Sequence, residues 1–353
     1  MIPAMSDILH VIDENAPADM LEQLSLLVRP GEEIVSVGPP PKTNALSMVA
    51  KKVFCPMGYA PLSAWRLRDA AGDARILHAW SVRAAQACLA AARGMNYRCV
   101  FSLPCADASR WPKSLRKALA GGVLRTTIPT GVSAEALIRQ GARPGGIRVL
   151  APPAPMDSAA DRRASARRQL GVADDEILLA APTPMVRHAG HDWASWVHAI
   201  LRHGGFERVK LLLNGSGPHE PHVRFFARTT GFIHEELFPG DSLCREDAIA
   251  AADVVLFFHK QDVGVHALAL AMAAGKCIVA SNTPDIAECT PDGQAAMLVA
   301  PGEIRSYTAA VMRALEDSSL ATQLGRRAKE IAEEKFPPAA SRGVLDDLYA
   351  SLR

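Results

Sequence analysis

Asp253-Val254-Val255-Leu256-Phe257-Phe258 is an apolar run of strand length, rich in β-branched and aromatic residues, and its reading decides the fold. His259-Lys260-Gln261-Asp262 follows as a short polar loop. Val263 and Gly264 come next, then an alanine-rich segment of strong helix formers over residues 267–275, which Gly275 stops. A second apolar run, Cys277-Ile278-Val279-Ala280, ends at Ser281-Asn282-Thr283-Pro284. Two buried strands joined through a helix form a βαβ unit, because parallel neighbours need a crossover connection. In such sheets ligands collect beyond the carboxyl ends of the strands, where helix N-termini offer N–H groups to anions. The loop from His259 to Val265 is therefore the first place to expect a phosphate.

Working outward, the same alternation of strand and helix runs through the chain. Strands are expected over residues 7–12, 33–37, 75–80, 98–103, 124–129 and 147–150 in the first half, and over 176–181 and 209–213 in the second. Helices are expected over 19–28, 81–92, 133–140 and 193–203, with further helices over 304–315 and 320–353. The Pro-rich run Ala151-Pro152-Pro153-Ala154-Pro155 is the best domain boundary. It divides a first domain, residues 1–155, from a second, 156–335, with a closing helical segment over 336–353. A length of 353 residues exceeds one ordinary core and agrees with two domains.

Composition narrows the class. Nearly half the residues are apolar, at 49%, yet no apolar run reaches membrane-spanning length, so a soluble globular protein is expected. Residues 1–10 lack a basic segment followed by an apolar core, so no secretory signal is read there. The 7 cysteines form no CxxC and no metal-type pairing with histidine, which suits a reducing cytoplasm. The net charge of +2 hides an asymmetry. Up to Pro155 there are 18 Lys+Arg against 11 Asp+Glu, or +7, and the remainder carries 21 against 26, or −5. Two readings stand: scatter around neutrality, or a basic N-terminal domain that meets an anionic membrane surface or acceptor. Arg162, Arg163, Arg167 and Arg168 read as a solvated helix face, and nucleic acid is not an expected partner.

Several stretches together resemble the C-terminal half of retaining glycosyltransferases of the family 4 type. They are Ala251-Ala252-Asp253 before the strand, Asp262 in the loop, Ala271-Met272-Ala273-Ala274-Gly275-Lys276, Ile278-Val279-Ala280, Glu288, and Asp292-Gly293 with Leu298-Val299. In that family an "AD" precedes a strand, a carboxylate loop enters a helix ending "EAMAxGxPVVA", and a Glu and a "DG…LV" turn follow. Asn214-Gly215-Ser216-Gly217-Pro218 resembles the family's "GxGP" turn, which a tight strand-to-helix connection also explains. The resemblance is close from about Leu170 to Phe336 and looser before it. It implies the GT-B type of α/β fold: two Rossmann-like domains facing one another across a cleft, with the last helix crossing back to the first domain.

The resemblance also implies a chemistry. A retaining transfer from a nucleotide-sugar donor to a glycan or lipid-linked acceptor would run without a metal and without a cofactor beyond the donor itself. The protein would be cytoplasmic, either free or peripheral at the inner face of the membrane, and would serve polysaccharide biosynthesis. The sites implied are His78 and Asp262 as catalytic groups, with Arg187, His188, Gly215, Gly217, Gly264, Val265, His266 and Glu288 holding the nucleotide-sugar. His78 matches the first histidine of the family's "D-x-x-H-x-H" strand end, and Trp80 stands at the second. Departures are equally specific. Where the family carries Arg and Lys in "G-R-L-x-x-x-K-G", this chain has Pro184 and Ala189. Of the pair Glu-x7-Glu it has Asp262 first and Leu270 second, and the loop Asp13-Glu14-Asn15-Ala16-Pro17 lacks the family's glycines. Two functions follow: a glycosyltransferase with altered donor contacts, or a non-catalytic protein of the same fold that binds a glycan, a nucleotide or a partner subunit.

Overall fold

The structure, a computed structural model, describes residues 7–39, 41, 50–53, 60–106, 111–155, 159–262, 264–291 and 293–353. Val263 and Asp292, both part of the motifs above, lie outside the described residues. The chain divides into two compact units, Met1–Pro153 with Pro338–Arg353, and Ala154–Pro337. The Ala154 amide donates to the carbonyl of Phe336 at 2.9 Å, so the chain enters and leaves the second unit side by side.

The first unit holds β1 (Ile8–Ile12), β2 (Glu33–Val37), β3 (Ala50–Val53), β4 (Ile76–Ala79), β5 (Arg98–Ser102), β6 (Leu124–Ile128) and β7 (Ile147–Val149). They form one parallel sheet in the order β3-β2-β1-β4-β5-β6-β7. Every residue of β1 is buried, and the two-residue period of a strand sends them to opposite faces. Leu9 and Val11 join the cluster under helices Ala60–Ala71, Val82–Ala91 and Lys113–Ala120. Ile8 and Ile12 join the one under helices Ala18–Leu27 and Pro338–Ala350. The helix Gly131–Arg139 leads into β7. Continuous apolar strands thus reflect helices on both faces.

The second unit repeats the plan with β8 (Ile177–Ala181), β9 (Val209–Leu213), β10 (Glu236–Leu237), β11 (Val254–Phe257), β12 (Cys277–Ser281) and β13 (Met297–Val299). The order is β10-β9-β8-β11-β12-β13, again all parallel. The helix joining β11 to β12, His266–Ala273, is buried at all its positions, as expected of a helix apolar all round. On the other face the helices His191–His203 and Ile304–Glu316 bury Ala194, Val197, Leu201, Tyr307 and Val311, and Ser318–Lys335 adds Leu324 to that cluster while also packing against His266–Ala273.

The expected solvated arginine face is corrected at Arg163 and Arg167, while Arg168 is exposed. The helix Ala159–Leu170 turns Arg163 and Arg167 onto the start of β11, and Arg167 is only 3% exposed. Arg167 donates to the carbonyls of Ala173 and Glu176 at 2.6 Å and to that of Ala251 at 3.1 Å. Arg163 donates to Asp253 at 2.5 Å and to the carbonyls of Ala251 and Ala252 at 2.9 Å. Asp253 in turn accepts from the Leu178 amide at 2.7 Å. The "AD" motif is thus a lock between β8 and β11, and a helix face cannot be called solvated before its carbonyl partners are known.

Candidate functional site

Four loops at the carboxyl ends of neighbouring strands in the second unit are joined to one another by hydrogen bonds from backbone amides. Between the β9 and β8 loops, the Met185 amide donates to Ser216 at 3.1 Å, and the His219 amide donates to Met185 at 2.9 Å. Between the β8 and β11 loops, the Lys260 amide donates to His188 at 2.8 Å. Between the β11 and β12 loops, the Asp285 amide donates to the Asp262 carboxylate at 3.3 Å. The strand order reverses direction between β8 and β11, and such a switch point is where doubly wound sheets bind ligands.

Glycine makes this assembly sterically possible. A Cβ on Gly190 (φ +76°) would stand 1.8 Å from the Phe258 carbonyl oxygen, and one on Gly217 would stand 2.4 Å from that of Met185. One on Gly215 (φ +125°) would meet the Thr183 oxygen at 2.6 Å. The "GxGP" glycines therefore serve close approach of two loops, beyond the needs of a tight turn.

Arg187 is exposed on the β8 loop and close enough to act electrostatically on His219, while His188 is half-buried. Asp262 is half-buried, with one oxygen on the Asp285 amide. Gly264 takes φ +108°, and Val265 begins the helix His266–Ala273 with no side chain capping its amides. His266 is buried at 1% exposure, so it lies in the packing beneath this rim. Glu288 sits in the last turn of helix Pro284–Cys289, and its carbonyl accepts from Lys335 at 2.8 Å. Leu270 is 5% exposed, within the buried helix.

His78 requires a correction. It lies inside β4 of the first unit, fully buried, with Nδ1 at 2.5 Å from the Tyr349 hydroxyl and Nε2 at 2.7 Å from the Ser102 hydroxyl. Both ring nitrogens are occupied, and burial holds its pKa well below the usual histidine value. It stacks on Trp80 at 4.5 Å, and the Trp80 indole donates to His10 at 3.1 Å. His78 is a structural residue there and touches no open surface.

The first unit carries its own cavity, of about 430 Å³, at the carboxyl ends of β1, β4 and β5. Asp13, Ser81, Phe101 and Trp111 line it. The Asp13 carboxylate accepts from the Asn15 amide at 2.7 Å and the Ser81 hydroxyl at 2.9 Å, while burial pushes its pKa up. The glycine-free loop after β1 thus offers a carboxylate to this cavity.

A further group escaped the sequence reading. Asp192, His219, His222 and Lys260 come from three different loops or helices, and Lys260 reaches Asp192 at 2.6 Å. Only the three-residue spacing of His219 and His222 could have hinted at it.

Comparison with known proteins agrees with this architecture. Residues 178–317 match the family model described as glycosyl transferases group 1. No curated protein matches the chain. Among solved structures, HepE of Anabaena in complex with UDP and glucose superposes with a TM-score of 0.84 at 17% identity, over 98% of this chain and 99% of that one. Sucrose-phosphate synthase from Thermosynechococcus elongatus gives 0.77 at 15% identity, covering 98% of each chain. WaaG, a glycosyltransferase involved in lipopolysaccharide biosynthesis, gives 0.71 at 14%, over 96% of this chain and 99% of that one. Residues 178–317 thus match the glycosyl transferases group 1 model, in a chain with the GT-B fold.

Proposed function

We propose that the protein transfers a hexose from a nucleotide-sugar, with a uridine diphosphate leaving group, to a glycan or lipid-linked acceptor. The observation that carries this reading is the joined set of four loops inside the segment matching the glycosyltransferase family. That HepE structures hold UDP and UDP-glucose supports uridine over other bases. The diphosphate is assigned to the exposed Arg187 and to the uncapped amides at the start of helix His266–Ala273, since both favour charge growing on the leaving group. Asp262, held by the Asp285 amide, is assigned to the sugar hydroxyls. Leu270 offers ribose nothing, so Glu288 is the carboxylate proposed for the ribose hydroxyls. Retention of configuration and transfer without a metal follow the family resemblance. The acceptor is assigned to the cavity of the first unit, where Asp13 provides a hydroxyl partner and Phe101 and Trp111 an apolar wall. Polysaccharide biosynthesis and contact of the basic first unit with an anionic membrane surface complete the reading. No helix among the described residues is long and apolar enough to cross a membrane.

Thermal unfolding with uridine, guanosine and adenosine diphosphates tests it. Uridine diphosphate at a hundred times its Kd should stabilise by about 2.7 kcal/mol and raise the midpoint by several degrees. Arg187→Ala should leave the unliganded midpoint in place and weaken that binding about tenfold, the worth of a charged hydrogen bond. A chain whose midpoint none of the three nucleotides moves does not have this function. Pro184, Ala189 and Leu270 favour a second reading, a nucleotide-binding protein without transfer. A midpoint shift with no sugar release from UDP-hexoses selects that one.

A further inference from the structure

Asp192 lies in the first turn of helix His191–His203, His219 precedes helix Glu220–Thr230, and His222 lies within it. One carboxylate oxygen of Asp192 and one ring nitrogen from each histidine lie within 4.8 Å of one another. The two imidazoles stack with centroids 4.5 Å apart. The Asp192 carboxylate is split in its duties. Oδ2 accepts from the Lys260 ammonium at 2.6 Å, whereas Oδ1 is buried and has no hydrogen-bond partner. Nε2 of His219 is likewise buried and without one. Two buried polar atoms left unpaired in the same cluster cost free energy unless something between them bonds to both.

A cation bonding to nitrogen and oxygen resolves both orphans. We propose that Asp192, His219 and His222 form a binding site for a divalent transition-metal ion of the zinc class, with water completing the coordination. Two imidazoles and one carboxylate suit zinc, cobalt or nickel, whereas magnesium and calcium prefer oxygen throughout. Lys260 does not compete for the ligating atom, because it holds the opposite carboxylate oxygen. It is itself fixed, with its ammonium 4.6 Å from the centre of the Trp193 ring and its amide on His188. A hydrogen-bonded outer oxygen is the usual support of a ligating carboxylate. Donor atoms around a tetrahedral zinc stand roughly 3.4 Å apart for bonds of about 2.0–2.1 Å, so the group must contract. The exposed His222 side chain has the freedom to do so. The proposal adds a metal to a protein expected to work without one. It is independent of the sugar-transfer reading, since a chain that binds no nucleotide can still bind zinc.

The test is calorimetric titration of the chelator-treated full chain with zinc chloride, and absorption spectroscopy with cobalt(II). One equivalent of zinc should bind, and cobalt should show ligand-field bands without a thiolate charge-transfer band. His222→Ala, on an exposed position, and His219→Ala should each weaken zinc binding at least tenfold. Metal-free melting of His222→Ala should match that of the parent. Absence of zinc binding overturns the proposal. So does a cobalt spectrum with a thiolate band, which would place the metal on cysteine, or unchanged affinity in both histidine variants.

Discussion

Leu270 shows how one residue's meaning depends on where its helix sits. Its place eight residues after Asp262 suggested a ribose-facing position that had lost its carboxylate. The helix around it is buried on every side, and Leu270 itself is 5% exposed. Leu270→Glu should therefore bury an unpaired carboxylate and lower stability by several kcal/mol, with no gain in nucleotide affinity. Denaturant unfolding beside nucleotide titration checks both halves, and tighter binding at an unchanged midpoint would return Leu270 to the donor site. Gly217 is the converse case, a residue whose lack of a side chain is its function. Gly217→Ala places a methyl group 2.4 Å from the Met185 carbonyl oxygen. Separation of the β8 and β9 loops should cost about 1–3 kcal/mol of stability and reduce nucleotide affinity together. An alanine variant that melts and binds like the parent would show that the two loops need not touch.

At the scale of elements, helix Pro338–Ala350 belongs to the first unit although the whole of the second unit precedes it in sequence. Leu345, Leu348 and Tyr349 bury against Met20, Leu24 and Ile34. Its polar ties are as specific: Arg342 donates to Glu32 at 2.5 and 2.8 Å and to the Leu27 carbonyl at 2.6 Å. The arginine and His10 together hold the Glu32 carboxyl well below the usual carboxylate range. Tyr349 meets His78, which continues through Ser102 to Thr127. Tyr349→Phe should cost about 1–3 kcal/mol by leaving Nδ1 of His78 unpaired. Arg342→Ala should cost about 3–5 kcal/mol by taking the guanidinium from Glu32, whose side chain is 6% exposed. Urea midpoints of the two variants measure this order. An Arg342 variant less damaging than the Tyr349 variant would mean that the helix is held by its apolar face alone.

For the whole molecule, buried histidines set the response to acid. His10 and His78 are held below the ordinary value of 6.5, mainly by burial. For the same reason His191 is pushed down to about 4 and His259 to about 3. Folded, these rings stay neutral, whereas the unfolded chain takes up their protons near pH 6.5. Below that pH the unfolded state binds more protons, so stability falls as pH drops from about 6.5 and levels off only past each folded value. Each ring contributes at most about 1.4 kcal/mol per pH unit. The depressed Glu32 adds to the loss below about 4.5, and the raised Asp13 opposes it. Unfolding free energy measured at pH 7 and pH 5 should show the decline, and His191→Gln should make it shallower. Equal stability at the two pH values would mean that these rings are protonated in the fold.

The sequence by itself determined the architecture. Continuous apolar strands such as Val254–Phe257, alternating with helices closed by glycine, force a parallel sheet covered on both faces, because both sides of each strand must leave water. It also marked the loops of the site, since Asp262, Arg187 and Gly215 all follow strands. Tertiary structure alone decided which marked residues lie on the loops at the strand ends and which are enclosed in the packing. His78 and Leu270 carried the right spacing but are enclosed by elements distant in sequence, Tyr349 for the one and the packing around His266–Ala273 for the other. Arg163 and Arg167 read as surface charge until the carbonyls of Ala251 and Ala252 met them. Asp192, His219 and His222 have no shared motif, because two separate parts of the chain bring them together. Local periodicity records which face of an element is apolar, but a side chain's partners are fixed only when remote segments pack against it.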